Sequence, residues 1–197
     1  MKDITAAEIS IMLTLVKSPE TDYNANSLAK VVGITPMGAL KILKRLEKDS
    51  LLTSKKIGKA VIYKINTGNP YARLFVSLIL SREALQSAPK IKRWIQELRK
   101  IKGADLIILF GSVLEKKNPN DIDTLLVTDK NRFSQLQKGI AELNKLNNKR
   151  IHPIYQTFSD IVENIKKRHK PILNAIKGVI VAGEEQFIEV YYESRKE

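Results

Sequence analysis

The segment from Leu106 to Val127 constrains this chain more than any other. An apolar run, Leu106–Phe110, ends in Gly111-Ser112, a polar loop follows, and Asp121 and Asp123 then open a second apolar run. Short apolar runs bounded by turn residues read as strands, and downstream of them helix and strand alternate. We expect a helix from Arg132 to Leu146, a strand over Arg150–Tyr155 and a helix from about Ser159 to Arg168. A short helix over Ile172–Lys177, a strand at Val179–Ala182 and a terminal helix through Tyr191 should follow. That order places the C-terminal half in the α/β class.

Strand residues alternate faces, so aspartates at i and i+2 project their carboxylates to the same side. Two hard oxygen ligands at the mouth of a sheet suit Mg²⁺, which commonly binds through one or two carboxylates plus substrate phosphates. Gly111 lets the backbone approach a phosphate, and Ser112 adds a hydroxyl donor. The pattern points to a nucleotide site.

Gly111-Ser112, a loop, then Asp121-Ile122-Asp123 between two apolar strands resembles the polymerase-β-type nucleotidyltransferases in their minimal form, over roughly residues 90–190. The resemblance implies a nucleotidyltransferase fold, a mixed sheet flanked by helices. In it Gly111 and Ser112 hold the triphosphate of an NTP, and Asp121 and Asp123 are the catalytic ligands of Mg²⁺ or Mn²⁺. It further implies transfer of a nucleoside monophosphate to a hydroxyl of a protein or nucleic acid; similar minimal enzymes modify toxin partners in toxin–antitoxin pairs. The departures are specific. Glu115-Lys116 stands where the family carries Arg-Gly, and Asn120 where it carries Ser. Lys116 and Lys117 offer point charges to a phosphate instead of a planar fork. The strand that should bring a third acid, Arg150–Tyr155, has none, and His152 falls about where that acid belongs; Asp160 and Glu163 come later, on the next helix. The gap supports an alternative reading, a transcriptional regulator whose impaired transferase-like domain only binds or senses a nucleotide.

Residues 1–68 read differently. Ile9, Met12, Leu13 and Val16 recur at helical spacing. Asn26-Ser27 supplies cap chemistry for a second helix carrying Leu28, Val31 and Val32, which Gly33 can end in a left-handed turn. Thr35-Pro36 restarts a helix, cap then proline at the first helical position. Its buried face is Ala39, Leu40, Leu43 and Leu46, and its opposite side shows Thr35, Met37, Lys41, Lys44, Arg45 and Lys48. A β-hairpin turning near Gly58 completes the unit. This order resembles the winged helix-turn-helix of bacterial and archaeal transcription regulators. By that resemblance the third helix enters the major groove of double-stranded DNA, and Lys55, Lys56 and Lys59 on the wing contact phosphates.

The two halves are joined by residues 69–89, a helical linker opened by Gly68-Asn69-Pro70, with residues 90–197 forming the second domain. Tyr71, Leu74, Phe75, Leu78 and Ile79 stripe the linker helix, which reads as a homodimer seam or as a spacer between the domains. After Pro89, Ile91, Trp94, Ile95, Leu98 and Ile101 face inward. The net charge of +13 is uneven. Residues 1–68 hold 11 Lys and Arg against 6 Asp and Glu, residues 69–103 hold 8 against 2, and residues 104–197 hold 15 against 13. A basic surface in the first half fits a polyanion partner. With no cysteine and only His152 and His169, thiolate and histidine-rich metal sites are excluded. No apolar run approaches a membrane span, and Met1-Lys2-Asp3 does not begin a secretory signal; we expect no membrane partner and a cytoplasmic location.

Overall fold

The computed structural model describes residues 4–116 and 118–196, and the chain divides into two compact units, Met1–Ile79 and Leu80–Glu197. The division falls inside the helix that the sequence reading treats as a linker.

The first unit contains α1 (Ala6–Lys17), α2 (Ala25–Val32), α3 (Pro36–Lys48), the strands β1 (Leu52–Ile57) and β2 (Ala60–Ile65), and the first half of α4 (Pro70–Gln86). β1 and β2 pair antiparallel from Leu52↔Ile65 to Ile57↔Ala60, leaving Gly58 and Lys59 as the turn; Gly58 takes φ +58°, a conformation that a side chain disfavours. Three helices followed by a hairpin is a winged helix-turn-helix. Gly33 closes α2 at φ +75°, and Thr35 caps α3 by accepting from the Gly38 amide, with Pro36 at the first position.

Three details correct the sequence reading. α1 buries Glu8, Ile11, Met12, Leu15 and Val16, whereas Ile9 and Leu13 are only half-buried. Both sets satisfy the helical period, and packing selects one. α2 starts earlier than Asn26-Ser27: Asn24 is its cap, accepting from Ser27 N at 2.9 Å while Ser27 Oγ accepts from Asn24 N at 2.9 Å. That reciprocal box satisfies two amides that a helix start leaves without intrahelical partners. Leu28 and Ala29 are buried, but Val31 is exposed. On α4, Ala72, Val76, Ile79, Leu80 and Ala84 are buried, whereas Tyr71, Leu74 and Leu78 are more than half exposed. The expected stripe is therefore an outer face, apart from Ile79 and the half-buried Phe75.

The second unit runs α5 (Pro89–Leu98), β3 (Leu106–Phe110), the single turn α6 (Ser112–Glu115), β4 (Asp121–Val127), a 3-10 turn (Lys130–Arg132), α7 (Phe133–Leu146), β5 (Arg150–Gln156), α8 (Phe158–Lys166), α9 (Lys170–Ala175), β6 (Val179–Ala182) and α10 (Glu184–Ser194). The sheet order is β5-β4-β3-β6; β4 and β5 are parallel, and β3 is antiparallel to β4 and β6. Ile107, Leu109, Ile122, Leu126, Ile151 and Val181 join one core with Trp94, Leu98, Leu136 and Ile140 of α5 and α7. The alternating residues Leu106, Ile108, Leu125 and Val127 are equally buried, on the face that strand geometry turns the other way, and α8, α9 and α10 contact β5 and β3. The mixed sheet is thus flanked by helices. Among the described residues no helix is long and apolar enough to cross a membrane.

Candidate metal centre and nucleic-acid face

The sheet brings the end of β3 against the start of β4. Phe110 pairs with Asp123, and across the parallel edge Asp121 pairs with Arg150 and Asp123 with His152. Asp121 and Asp123 therefore share a face, and the neighbouring strand adds His152 to it. One potential ligand atom from each of the three lies within 4.8 Å of the others. His152 Nδ1 stands 3.2 Å from Asp121 Oδ2.

Gly111 occupies φ +75° directly over Asp123; a Cβ there would lie 2.2 Å from Asp123 Oδ2, so a side chain would have to displace that carboxylate. The next residue, Ser112, opens α6, and its backbone amide favours the charged form of the Asp123 carboxyl. Burial, and then the neighbouring charge of Asp121, push the Asp123 carboxyl above its ordinary value, opposed by His152 and the Ser112 amide. A carboxylate whose charge is disfavoured by burial and by a second carboxylate is an arrangement that a divalent cation relieves. The donor set, two carboxylates and an imidazole over a glycine cradle, fits such an ion.

The third acid does not come from the helix after β5. Asp160 Oδ2 accepts from Thr157 N at 3.0 Å in the capping box of α8, and the Thr157 bonds hold its carboxyl below the ordinary value. It also follows the C-terminal end of β5, whereas Asp121 begins β4. Glu163 pairs with Lys167 at 2.6 Å. Lys116 is exposed, with its carbonyl accepting from Lys90 Nζ; Lys117 lies outside the described residues.

A cleft of about 250 Å³ opens at the strand ends where Asp121 starts, lined by Lys90, Arg93, Trp94 and Lys149 with Asn118 and Pro119. Among the described residues three cations and no acid line it, a balance suited to an anionic ligand. The Arg93 guanidinium lies over the Trp94 ring, 5.8 Å from its centre. Sequence reasoning gave Trp94 a core role, which it has, and missed this grouping because α5 and the β5 approach are far apart in the chain. A second cleft of about 220 Å³, lined by Thr128, Lys130, Phe133, Tyr155 and Asp160, sits at the other end of β4 and β5. Its single cation faces a single acid.

In the first unit Thr35, Met37, Lys41, Lys44 and Lys48 are exposed on α3, as are Lys55, Lys56 and Lys59 on the hairpin. Arg45 is the exception. Its guanidinium pairs with the buried Glu8 of α1, whose other oxygen accepts from Thr5 N and Thr5 Oγ1, each at 2.8 Å. The helical wheel puts Arg45 beside Lys44 and Lys48; an acid buried one helix away turns it inward.

No family model and no curated protein matches this chain. Solved structures match half of it at most marginally. A variant of Lactococcus lactis ZitR is 21% identical over 50% of this chain and 62% of its own, with a TM-score of 0.34. MepR, a transcription regulator of the Staphylococcus aureus multidrug efflux pump MepA, is 16% identical over 50% of this chain and 76% of its own, at 0.36. The PcaV transcriptional regulator from Streptomyces coelicolor is 14% identical over 50% and 74%, at 0.34. The chain thus spans under two thirds of the ZitR structure. Likeness this weak carries no argument, and the winged-helix description rests on the helix order, the caps and the hairpin register.

Proposed function

We propose that this protein is a winged-helix DNA-binding regulator whose C-terminal unit binds a divalent cation together with a nucleoside triphosphate, and that this binding biases its affinity for DNA. The observation that carries the reading is the convergence of Asp121, Asp123 and His152 at the foot of β4 and β5, under a glycine whose replacement would press on the Asp123 carboxylate. A separate cationic cleft, lined by Lys90, Arg93 and Lys149, opens near the start of the same strands. The DNA-binding half is supported by Lys41, Lys44, Lys55, Lys56 and Lys59, all exposed on the two elements that a winged helix presents to a duplex. If nucleotide and DNA bind to the same protein with a coupling free energy, each changes the other's affinity by one factor.

A second reading, nucleotidyl transfer, is favoured by the retention of both carboxylates on one face. In it a hydroxyl oxygen of a protein, such as a toxin partner, or of a nucleic acid attacks the α-phosphorus and pyrophosphate leaves; bound Mg²⁺ or Mn²⁺ supplies charge stabilisation for both oxygens.

Binding of each NTP to the full chain with Mg²⁺ or Mn²⁺ tests both readings. Asp123→Ala should abolish metal-dependent NTP binding and leave DNA binding intact; unchanged NTP affinity would remove the site. Transfer of an α-labelled phosphate to a macromolecule in host lysate, lost with Asp121→Ala/Asp123→Ala, would select the enzyme. Binding without transfer selects the regulator.

A further inference from the structure

We infer that His152 is the third ligand of this metal centre, and that its imidazole turns the centre's preference from the hard cations Mg²⁺ and Mn²⁺ toward a borderline transition cation such as Co²⁺. The inference rests on the metal-binding part of the function proposed above and specifies the ion.

Geometry comes first. Ligands about 2.1 Å from a shared cation and adjacent in its shell are about 3 Å apart, and His152 Nδ1 to Asp121 Oδ2 is 3.2 Å. All three ligand atoms lie within 4.8 Å of one another. The parallel register fixes the rest. His152 lies opposite Asp123 on the neighbouring strand, so the sheet itself delivers the imidazole to the carboxylates, with no loop to rearrange. The cradle is a separate observation: a Cβ at Gly111 would press on the Asp123 carboxylate. His152 is an exposed side chain, turned to the carboxylate face by strand alternation and the β4–β5 register.

Chemistry then decides the ion. Mg²⁺ takes oxygen ligands in strict octahedral geometry. Imidazole suits the later transition cations, carboxylates suit Mg²⁺ and Mn²⁺, and affinity for a given nitrogen–oxygen site rises from Mn²⁺ through Co²⁺. Replacing one carboxylate of an all-oxygen site by imidazole also removes a negative charge, which weakens the purely electrostatic hold on Mg²⁺ more than the hold on a cation with affinity for nitrogen. The competing possibility is that protonated His152 stands in for a cation and simply neutralises the two aspartates.

The test uses the full chain and four proteins: wild type, His152→Ala, His152→Asp and Asp121→Ala/Asp123→Ala, each checked for folding by circular dichroism. Mn²⁺ and Mg²⁺ affinities are measured by equilibrium dialysis, and Co²⁺ binding by its visible absorption. Wild type should bind Co²⁺ at least about tenfold more tightly than Mg²⁺ or Mn²⁺. His152→Ala should lose about tenfold or more for Co²⁺ and little for Mg²⁺ and Mn²⁺. His152→Asp should narrow the gap between the Co²⁺ and Mg²⁺ affinities and change the Co²⁺ spectrum. Unchanged Co²⁺ affinity in His152→Ala, with binding lost in the double aspartate variant, would overturn the role of His152 and leave the two-carboxylate centre standing. Metal binding unaltered by the double aspartate variant would remove both.

Discussion

Replacing Arg45 by methionine should destabilise the first unit by about 2 kcal/mol, although Arg45 sits on the helix that a reader of the sequence would assign to DNA. Its partner Glu8 has a side chain only 6% exposed, while that of Arg45 is 35% exposed. A fully buried pair broken on one side costs about 3–5 kcal/mol, and a surface pair about 0–1 kcal/mol. This one lies between. The Glu8 oxygen bonded to Thr5 keeps its donors, and the oxygen facing Arg45 loses a charged one. Methionine keeps much of the apolar stem, so the loss is mostly electrostatic. In a unit of this size 2 kcal/mol corresponds to roughly 8–16 °C in melting temperature. The assay is a double-mutant cycle in the full chain, Arg45→Met with Glu8→Gln, by urea unfolding, with hydrogen exchange of α1 and α3 amides to locate the effect. The double variant should cost at least about 1 kcal/mol less than the sum of the singles, because no charge is then left buried. Additive costs, or an Arg45→Met loss below about 0.5 kcal/mol, would refute the reasoning. Lys41→Ala and Lys44→Ala are the contrast: each should leave stability within about 0.5 kcal/mol and lower the salt slope of DNA binding by about one.

Gly111→Ala should cost about 1–3 kcal/mol for a side chain in a backbone region essentially reserved for glycine and displace the Asp123 carboxylate, so metal binding measured by dialysis should fall at least about tenfold, the equivalent of about 1.4 kcal/mol; wild-type affinity would mean that the contact over Asp123 has no functional weight. Tyr71, Leu74 and Leu78 present an apolar face on α4, the surface of the homodimer suggested by the sequence. Leu74→Lys/Leu78→Lys should convert a dimer to monomer by sedimentation equilibrium without loss of helicity, and a wild type that sediments as a monomer would remove that seam.

The legible parts of the sequence were those governed by local rules. Thr35-Pro36 and Gly33 set helix ends through capping and a left-handed turn, and both stand as read. Gly58 turns the hairpin, and the runs at Leu106–Phe110 and Val179–Ala182 are strands. The Asp-x-Asp spacing alone put two carboxylates on one side of β4, because strand alternation is a property of the backbone. Tertiary structure decided what local rules leave degenerate. α1 is apolar on more than one helical stripe, so only its neighbours could choose Ile11 and Leu15 over Ile9 and Leu13. The same packing buried Glu8, and the cost of a lone buried charge drew Arg45 inward. His152 reached Asp121 through the parallel pairing of β4 and β5, strands separated by the whole of α7. Sequence spacing cannot fix that register; the covering of both sheet faces does, since a shift by one residue would turn Ile151 outward and His152 into the core.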